Sequence, residues 1–113
     1  GCLDGMQKRD FVYVKDCVKV NLWFLKNPDV NGIFNVGTGE ARTFNDMGNA
    51  VITSIGYGQI SYVEFPKYLE GSYQNYTQAD MSALKGVGYP HPFIKLEDGV
   101  ADYVKYLNGS VVI

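Results

Sequence analysis

Apolar residues recur along the chain at two different spacings, and the alternation of these spacings predicts an α/β protein. Residues 11–14 and 32–36 are short runs rich in β-branched and aromatic side chains, and residues 60–65 alternate weakly between apolar and polar positions. Each of these runs is predicted to be a strand. The run at 32–36 is mostly apolar, which is typical of a strand buried on both faces of a sheet.

Helical spacing begins directly after the first predicted strand. We expect the first helix to start at an Asp16 N-cap, to end near Lys26, and to bury a stripe formed by Val18, Leu22 and Leu25. The Asn-Pro-Asp sequence at 27–29 stops this helix, because a proline disfavours a helical residue before it.

Polar caps and glycines delimit three further helices. Thr43 is the predicted N-cap of the second helix, Gly56 ends that helix, and Asp80 precedes a short third helix. The fourth helix covers residues 96–107, where the apolar positions keep a regular helical spacing. Residues 67–78 follow neither spacing and contain three tyrosines, which predicts a surface or site loop.

The composition is that of a folded globular protein. The 113 residues suffice for one domain, taken as residues 1–113, with 46% hydrophobic and 19% charged residues. A net charge of −2 gives no reason to expect nucleic acid or an anionic membrane as a partner. The apolar runs are too short to cross a bilayer and no signal-peptide pattern is present, so we expect a cytoplasmic protein.

Few residues suggest chemistry by their spacing alone. Cys17 lies among valines and is predicted to be a buried, reduced thiol, whereas His91 lies between two prolines without a second metal ligand nearby. None of the nine tyrosines has a lysine four residues later. A single histidine without a nucleophile elbow does not support a Ser-His-Asp triad. The spacing therefore predicts neither a catalytic residue nor a metal site.

Two short motifs are open to both a functional and a structural interpretation. Arg9 stands between Lys8 and Asp10, where its guanidinium could hold the oxygens of a diphosphate or form a surface salt bridge with Asp10. The Gly-Thr-Gly turn at 37–39 follows a predicted strand and precedes a helix, as a dinucleotide-binding turn does. Arg42 occupies the place of the third glycine, so a structural turn is favoured.

Four segments, in this order, resemble the late part of extended short-chain dehydrogenases/reductases that act on nucleotide sugars. They are Arg-Asp-Phe-Val-Tyr-Val-Lys-Asp at 9–16, Gly-Ile-Phe-Asn-Val-Gly-Thr-Gly at 32–39, Asp-Met-Ser-Ala-Leu at 80–84 with Gly88, Tyr89 and Pro92, and Leu-Glu-Asp-Gly-Val at 96–100. More specific runs, Asn-Leu-Trp-Phe-Leu at 21–25 and the Gly-Ser-Tyr-Gln…Thr-Gln-Ala-Asp run within 71–80, are similar to the ADP-L-glycero-D-manno-heptose 6-epimerase subfamily.

The resemblance covers essentially the whole chain but only the C-terminal third of such an enzyme. It implies that the α/β fold is the C-terminal substrate-binding part of an extended short-chain dehydrogenase/reductase, whose strand at 32–36 belongs to a Rossmann sheet outside the chain. The NADP-binding turn and the catalytic Tyr-x-x-x-Lys pair would lie upstream of Gly1. We therefore expect a fragment with no catalytic or cofactor-binding residue, inactive alone and prone to aggregation or partial order.

The same resemblance implies two substrate-binding residues. Arg9 would bind the ADP diphosphate, and Tyr73 would offer its phenol to the nucleotide sugar, although a tyrosine simply packed in a loop is the alternative. Gln74, beside Tyr73, is a weaker candidate. Gly1 and Cys2 are also weaker candidates, as the tail of a substrate loop of the family.

The implied activity interconverts ADP-D-glycero- and ADP-L-glycero-D-manno-heptose by NADP-dependent oxidation and reduction at C6″. This reaction serves lipopolysaccharide core biosynthesis in the bacterial cytoplasm, with ADP-heptose as the substrate and a homo-oligomer as the assembly. Two alternatives remain open. One is another nucleotide-sugar epimerase or dehydratase of the superfamily, and the other is a noncatalytic nucleotide-sugar-binding module.

Overall fold

The structure is a computed structural model that describes residues 4–64, 66–69, 71 and 74–109. This part of the chain contains four helices and one pair of two-residue strands. In order they are β1 (Lys8–Arg9), α1 (Val14–Lys26), β2 (Arg42–Thr43), α2 (Phe44–Ile55), a single 3-10 turn (Lys67–Leu69), α3 (Ser82–Gly86) and α4 (Leu96–Leu107). The four predicted helices are confirmed, each within three residues of its expected start.

Helix α1 begins three residues before its predicted start, and its predicted cap has another role. Tyr13 is the N-cap, whereas Asp16 lies in the first turn with only 4% of its surface exposed. The Asp16 carboxylate accepts a hydrogen bond from the backbone N–H of Ile94 at 2.7 Å. Asp16 therefore connects α1 to the segment that leads into α4. The Ile94 N–H supplies the hydrogen bond that a buried carboxylate requires.

The core lies on one side of α1. Its buried residues are Val20, Met81, Leu84 and Tyr89, with Trp23, Phe24, Phe34, Ala79 and Phe93 packed around them. The ring of Trp23 meets that of Tyr89 edge to face at 5.5 Å between centroids. The predicted buried stripe of α1 was wrong, since Val18, Leu22 and Leu25 face away from this core and are about half exposed or more.

Helix α2 is capped as its sequence predicts. Thr43 accepts a hydrogen bond from Asp46 N–H at 2.9 Å, and the Asp46 carboxylate accepts one from Thr43 N–H at 3.1 Å, which completes a capping box. Gly56 ends the helix with a φ of 87°. Arg42 donates to Asp46 and to both carboxylate oxygens of Glu97, so it joins the start of α2 to the start of α4.

The strands differ most from the sequence-based prediction. Residues 32–36 pair with none of the segments that the structure describes, and the side chain of Ile33 is 99% exposed. Phe34 still packs on Phe24 of α1, at 5.1 Å between ring centroids. A strand is assigned by its ladder of hydrogen bonds, so an extended segment without a neighbour has no assignment. The segments 11–13 and 60–64 likewise carry no strand, and within the described residues the sheet consists of β1 and β2, with a single bridge from Lys8 to Tyr76.

The molecule exposes more surface than its length requires. Its accessible surface is 8182 Å², whereas a compact monomer of this mass exposes about 6,200 Å². The radius of gyration is 16.7 Å, against about 13 Å for a compact domain of this length. The fold is therefore flat and incompletely closed. In the part of the chain that the structure describes, no helix is long and apolar enough to span a membrane.

Candidate functional site

Strand β1 lies between two other segments at the centre of the candidate site. On one edge it pairs antiparallel with β2, with Lys8 opposite Thr43 and Arg9 opposite Arg42. On the other edge Lys8 N–H donates to the carbonyl of Asn75 at 2.8 Å. The carbonyl of Lys8 in turn accepts from Thr77 N–H at 3.1 Å. Residues 75–77 are therefore fixed beside β1 by backbone hydrogen bonds, which do not depend on their side chains.

The Arg9 guanidinium lies where this arrangement meets the start of α2. It donates to the carbonyls of Lys8 and Gln74, and it lies over the ring of Phe44 at 5.9 Å from the centroid. The side chain is half-buried, and the planar guanidinium holds its N–H groups in fixed directions. The site thus presents an oriented cation beside residue 74.

Asp10 has partners of its own, so the salt bridge considered for Arg9 and Asp10 is not the arrangement adopted. One carboxylate oxygen accepts from the N–H and the hydroxyl of Thr38, at 2.8 and 2.5 Å. The other oxygen accepts from the N–H groups of Gly39 at 2.8 Å and Ala79 at 3.1 Å. Partial burial raises the pKa of Asp10, but these hydrogen bonds outweigh it and hold the pKa below its usual value.

The lowered pKa of Asp10 predicts a pH-dependent contribution to stability. Its unfolded-state pKa is about 3.9, so the stabilisation is complete above about pH 5 and is lost as the pH falls through the lower folded-state pKa. The side chain in Asp10→Asn has one acceptor oxygen in place of two. We therefore expect the free energy of unfolding at pH 7 to fall by about 2 kcal/mol.

Urea denaturation of both forms at pH 7 and pH 3.5 measures this effect. The difference in unfolding free energy between wild type and Asp10→Asn should be smaller at pH 3.5 than at pH 7. Asp29→Asn is the matched control, because Asp29 is an exposed carboxylate on the turn after α1 and its replacement should leave the midpoint unchanged at both pH values. An Asp10 effect of equal size at the two pH values would contradict the charged-acceptor role.

The Gly-Thr-Gly turn fits around Asp10 only because its first residue has no side chain. A Cβ on Gly37 would lie 2.6 Å from the Asp10 carboxylate and 2.7 Å from the Cβ of Ala79. The N–H groups of Thr38 and Gly39 donate to Asp10, which agrees with the interpretation of this segment as a structural turn.

The structure brings together two of the residues predicted to bind substrate. Gln74 is held by its carbonyl to Arg9, and the residues after it are anchored through Thr77 and Ala79 to Lys8 and Asp10. Tyr73, Gly1 and Cys2 lie outside the described residues, so their placement stays a prediction.

Other candidate residues lie apart from this site. Cys17 is a free thiol but is only half-buried, so the prediction of a buried thiol was wrong. His91 is exposed and packs its ring against Tyr89 at 5.3 Å. Among the described residues, no group of three or more His, Cys, Asp or Glu side chains is placed to hold a metal ion.

A hydrogen-bonded cluster at α4 was missed by the sequence analysis. Asp102 accepts from the Tyr13 hydroxyl at 2.5 Å and from the Lys15 ammonium at 2.7 Å. The bond to Asp102 raises the pKa of Tyr13 to about 12, so this phenol stays protonated. In the sequence Asp98 and Asp102 are one helical turn apart, a spacing that is typical of a solvated helix face, and partners 87 and 89 residues away leave no local pattern.

An apolar groove of about 350 Å³ lies between residues 11–13, α2 and α4. Phe11, Met47, Val51, Val100 and Leu107 are among its lining residues. The exposed lining of this groove is mostly apolar, and Tyr13, Lys95 and Tyr103 are the lining residues that carry a polar side-chain group. The groove is therefore distinct in chemistry from the region around Arg9.

Known structures with this fold define the class of protein. A UDP-N-acetylglucosamine 4-epimerase from Methanobrevibacter ruminantium, in complex with UDP-N-acetylmuramic acid, superposes with a TM-score of 0.78 at 26% identity, over 96% of this chain and 34% of that one. A mutant UDP-glucuronic acid 4-epimerase from Bacillus cereus, in complex with a fluorinated UDP-glucuronic acid and NAD, gives 0.69 at 28% identity, over 92% and 34%. The chain therefore has the α/β fold of part of a nucleotide-sugar epimerase, as predicted.

Sequence relatives make the resemblance more specific. The model of the NAD dependent epimerase/dehydratase family matches residues 2–37. Over 104 residues the chain is 53% identical to the ADP-L-glycero-D-manno-heptose-6-epimerase of Alkalilimnicola ehrlichii, and over 103 residues it is 52% identical to that of Nitratidesulfovibrio vulgaris. These alignments cover 92% and 90% of this chain and 32% of each relative. The predicted resemblance to this subfamily is confirmed, for a chain that spans about a third of the length of its relatives.

The family description implies a nicotinamide cofactor, and the Gly-Thr-Gly turn is the place to test its fit. The N–H groups of Thr38 and Gly39, which a pyrophosphate would need, donate to Asp10 instead. The N-terminus of the following helix is closed by its own capping box. The turn therefore does not fit a dinucleotide, because its donors already have a carboxylate partner.

Proposed function

We propose that this chain is the C-terminal, substrate-binding portion of an ADP-L-glycero-D-manno-heptose 6-epimerase. The complete enzyme would interconvert ADP-D-glycero- and ADP-L-glycero-D-manno-heptose by oxidation and reduction at C6″, for lipopolysaccharide core biosynthesis in the bacterial cytoplasm. NADP would accept and return the hydride in that enzyme. The cofactor and the catalytic residues would be held outside residues 1–113, and the complete enzyme would be a homo-oligomer.

One observation carries this proposal: identity of 52–53% to two enzymes of that name over at least 90% of the chain. The superposed 4-epimerases support the class of reaction, but at 26–28% identity they support the particular sugar less. The alternative is therefore another nucleotide-sugar epimerase, with a different nucleotide or sugar.

The geometry around Arg9 supports a role in substrate binding. The guanidinium donates to the carbonyl of Gln74, so two of the residues predicted to bind substrate are in direct contact. A guanidinium forms charge-assisted hydrogen bonds with phosphate oxygens, and a phenol can bond a sugar hydroxyl. This chain would thus bind and orient the nucleotide sugar.

A chimera tests the proposed activity. In it, this chain replaces the matching residues of the Alkalilimnicola ehrlichii relative, so that the protein has the full length of an epimerase. We expect the chimera to epimerise ADP-D-glycero-D-manno-heptose and to leave UDP-N-acetylglucosamine unchanged. Turnover of the UDP-sugar alone would favour the alternative epimerase, and binding without any turnover would favour a noncatalytic module.

Replacing Arg9 in this chimera tests its role. We expect Arg9→Ala to weaken substrate binding by about 1.5–3 kcal/mol, which is about tenfold or more. Because the diphosphate is remote from C6″, the loss should be seen mainly in KM. Steady-state kinetics with ADP-heptose measure both constants.

Lys8→Ala is the control for Arg9→Ala, because Lys8 is the neighbouring exposed cation and its backbone bonds are kept. Arg9→Lys keeps the charge but loses the planar fork, so its KM should lie between those of wild type and Arg9→Ala. An unchanged KM in Arg9→Ala would remove Arg9 from the substrate site and leave it the role of supporting the Gln74 carbonyl.

A further inference from the structure

Phe44 is the first residue of α2, and the bonds around it fix its backbone beside β1. Its N–H donates to the carbonyl of Gln7 at 3.0 Å. Thr43, the residue before it, lies opposite Lys8 of β1 and forms the capping box with Asp46. A capped helix start that is also bonded to the neighbouring segment has little freedom to move. The ring of Phe44 therefore projects from a firmly held position.

The Phe44 ring contacts one aromatic residue and one cation. Phe11 meets it edge to face, at 5.8 Å between ring centroids. The guanidinium carbon of Arg9 lies over the ring, at 5.9 Å from its centroid. A cation over the face of an aromatic ring is attracted by the ring quadrupole. Phe44 thus belongs to the apolar interior through one contact and to the candidate substrate site through the other.

A second arginine shows why the direction of Arg9 needs support. Arg42 lies directly opposite Arg9 in the β1–β2 ladder, so both side chains start on the same face of the strand pair. Arg42 donates to two carboxylates, one on α2 and one on α4, which offset its charge. The Arg9 guanidinium is directed instead to the carbonyl of Gln74 and the ring of Phe44. The two arginines therefore have separate roles, and that of Arg42 is structural.

A guanidinium held against a ring is restricted in the directions that its plane can take. Its N–H groups lie in that plane, so the ring also restricts the directions in which they can donate to phosphate oxygens. An arginine side chain that is ordered before the ligand arrives loses less rotamer freedom on binding. A ring in this position can therefore strengthen the binding of a diphosphate without touching it.

We propose that Phe44 is a positioning residue of the substrate site, whose ring holds the Arg9 guanidinium in the direction required by the diphosphate of the nucleotide sugar. This inference rests on the proposed function, because Arg9 must bind the diphosphate, but it does not depend on which sugar follows. The competing role for Phe44 is purely structural, as the partner of Phe11 in a pair of packed rings.

Three variants of the chimera described above separate these roles. Phe44→Leu removes the ring beside Arg9, whereas Phe11→Leu, the matched control, leaves that ring in place. Both substitutions remove the contact between the two rings, and both replace phenylalanine by the same smaller side chain. Phe44→Tyr is the conservative variant, since it keeps an aromatic face for the guanidinium.

We expect Phe44→Leu to raise both the KM for ADP-D-glycero-D-manno-heptose and the dissociation constant of ADP by about threefold to fivefold, the size expected for ordering one long side chain. The kcat should stay within about twofold, because the diphosphate is remote from C6″. Phe11→Leu and Phe44→Tyr should leave KM and the dissociation constant within about twofold of wild type. Steady-state kinetics and titration calorimetry with ADP measure these constants.

A double-mutant cycle shows whether Phe44 acts through Arg9. If it does, Arg9→Ala and the double variant with Phe44→Leu should bind ADP about equally, each about tenfold more weakly than wild type. Independent effects would multiply, and the double variant would then bind about thirtyfold to fiftyfold more weakly. A purely structural role predicts the second result, because it does not involve Arg9.

The proposal is overturned by equal losses in Phe44→Leu and Phe11→Leu, by independent effects in the cycle, or by a rise in Phe44→Tyr as large as that in Phe44→Leu. A chimera that does not bind ADP at all would overturn it together with the role of Arg9. A chimera that binds ADP with the expected pattern but does not epimerise ADP-heptose would count against the proposed function and leave the role of Phe44 supported.

Discussion

Gly37→Ala is expected to destabilise the protein by about 3 kcal/mol or more, one of the largest effects of a single methyl group that this fold predicts. The added Cβ would lie 2.6 Å from the Asp10 carboxylate and 2.7 Å from the Cβ of Ala79. Neither neighbour can move freely, because Asp10 is held by hydrogen bonds from Thr38, Gly39 and Ala79. The clash therefore separates the carboxylate from its donors. Urea denaturation followed by circular dichroism gives the difference in unfolding free energy.

Gly86→Ala is the control for that substitution. Gly86 ends α3, nothing lies within 4 Å of its added Cβ, and its backbone is not in the left-handed region. Alanine in a helix is favoured over glycine by about 0.5–1 kcal/mol, so this variant should be as stable as wild type or slightly more stable. If both alanine variants lost the same stability, the close approach at Gly37 would not be the cause.

The second large effect is a loss of function. The 113-residue chain alone is expected to show neither epimerase turnover nor saturable binding of NADP⁺. The donors of its Gly-Thr-Gly turn are engaged by Asp10, and no tyrosine in its sequence has a lysine four residues later. The chimera should bind the cofactor, because it restores the part of the relative that this chain does not match.

Fluorescence of Trp23, the single tryptophan, and titration calorimetry can follow the cofactor in both proteins. Circular dichroism establishes beforehand that the free chain is helical. Saturable micromolar binding to the free chain would contradict the expectation and would place a dinucleotide site within residues 1–113.

The helices could be predicted from sequence because their signals are local. Thr43 and Asp46 cap α2 from three residues apart, and Gly56 ends it in the left-handed conformation that glycine favours. The strand at 32–36 could not be predicted in the same way. Its apolar composition indicates burial, but a strand exists only with a neighbour, and the described residues supply none.

The exposed stripe of α1 illustrates a related ambiguity. The spacing of Val18, Leu22 and Leu25 correctly indicates an apolar face, but spacing does not say which part of the protein covers it. Val20 and Trp23 form the covered face instead, through contacts with Leu84 and Tyr89 far along the chain.

The candidate site was predictable only where a family motif preserved it. The motif singles out Arg9, yet nothing in the sequence indicates that its guanidinium donates to Gln74, 65 residues away. The role of Asp10 is still less visible, because all three residues that bond its carboxylate lie at least 28 residues from it.

The position of Asp10 in the chain also has a consequence for the order of folding. Its carboxylate joins Thr38, 28 residues away, and Ala79, 69 residues away. Non-local contacts of this kind form after local helices, because loop closure must come first, although lengthening the loop from 28 to 69 residues adds less than about 1 kcal/mol. Interactions made late, after the transition state, mainly slow unfolding. We therefore expect replacement of Asp10 to speed unfolding more than it slows folding, which stopped-flow measurements of both rates would check.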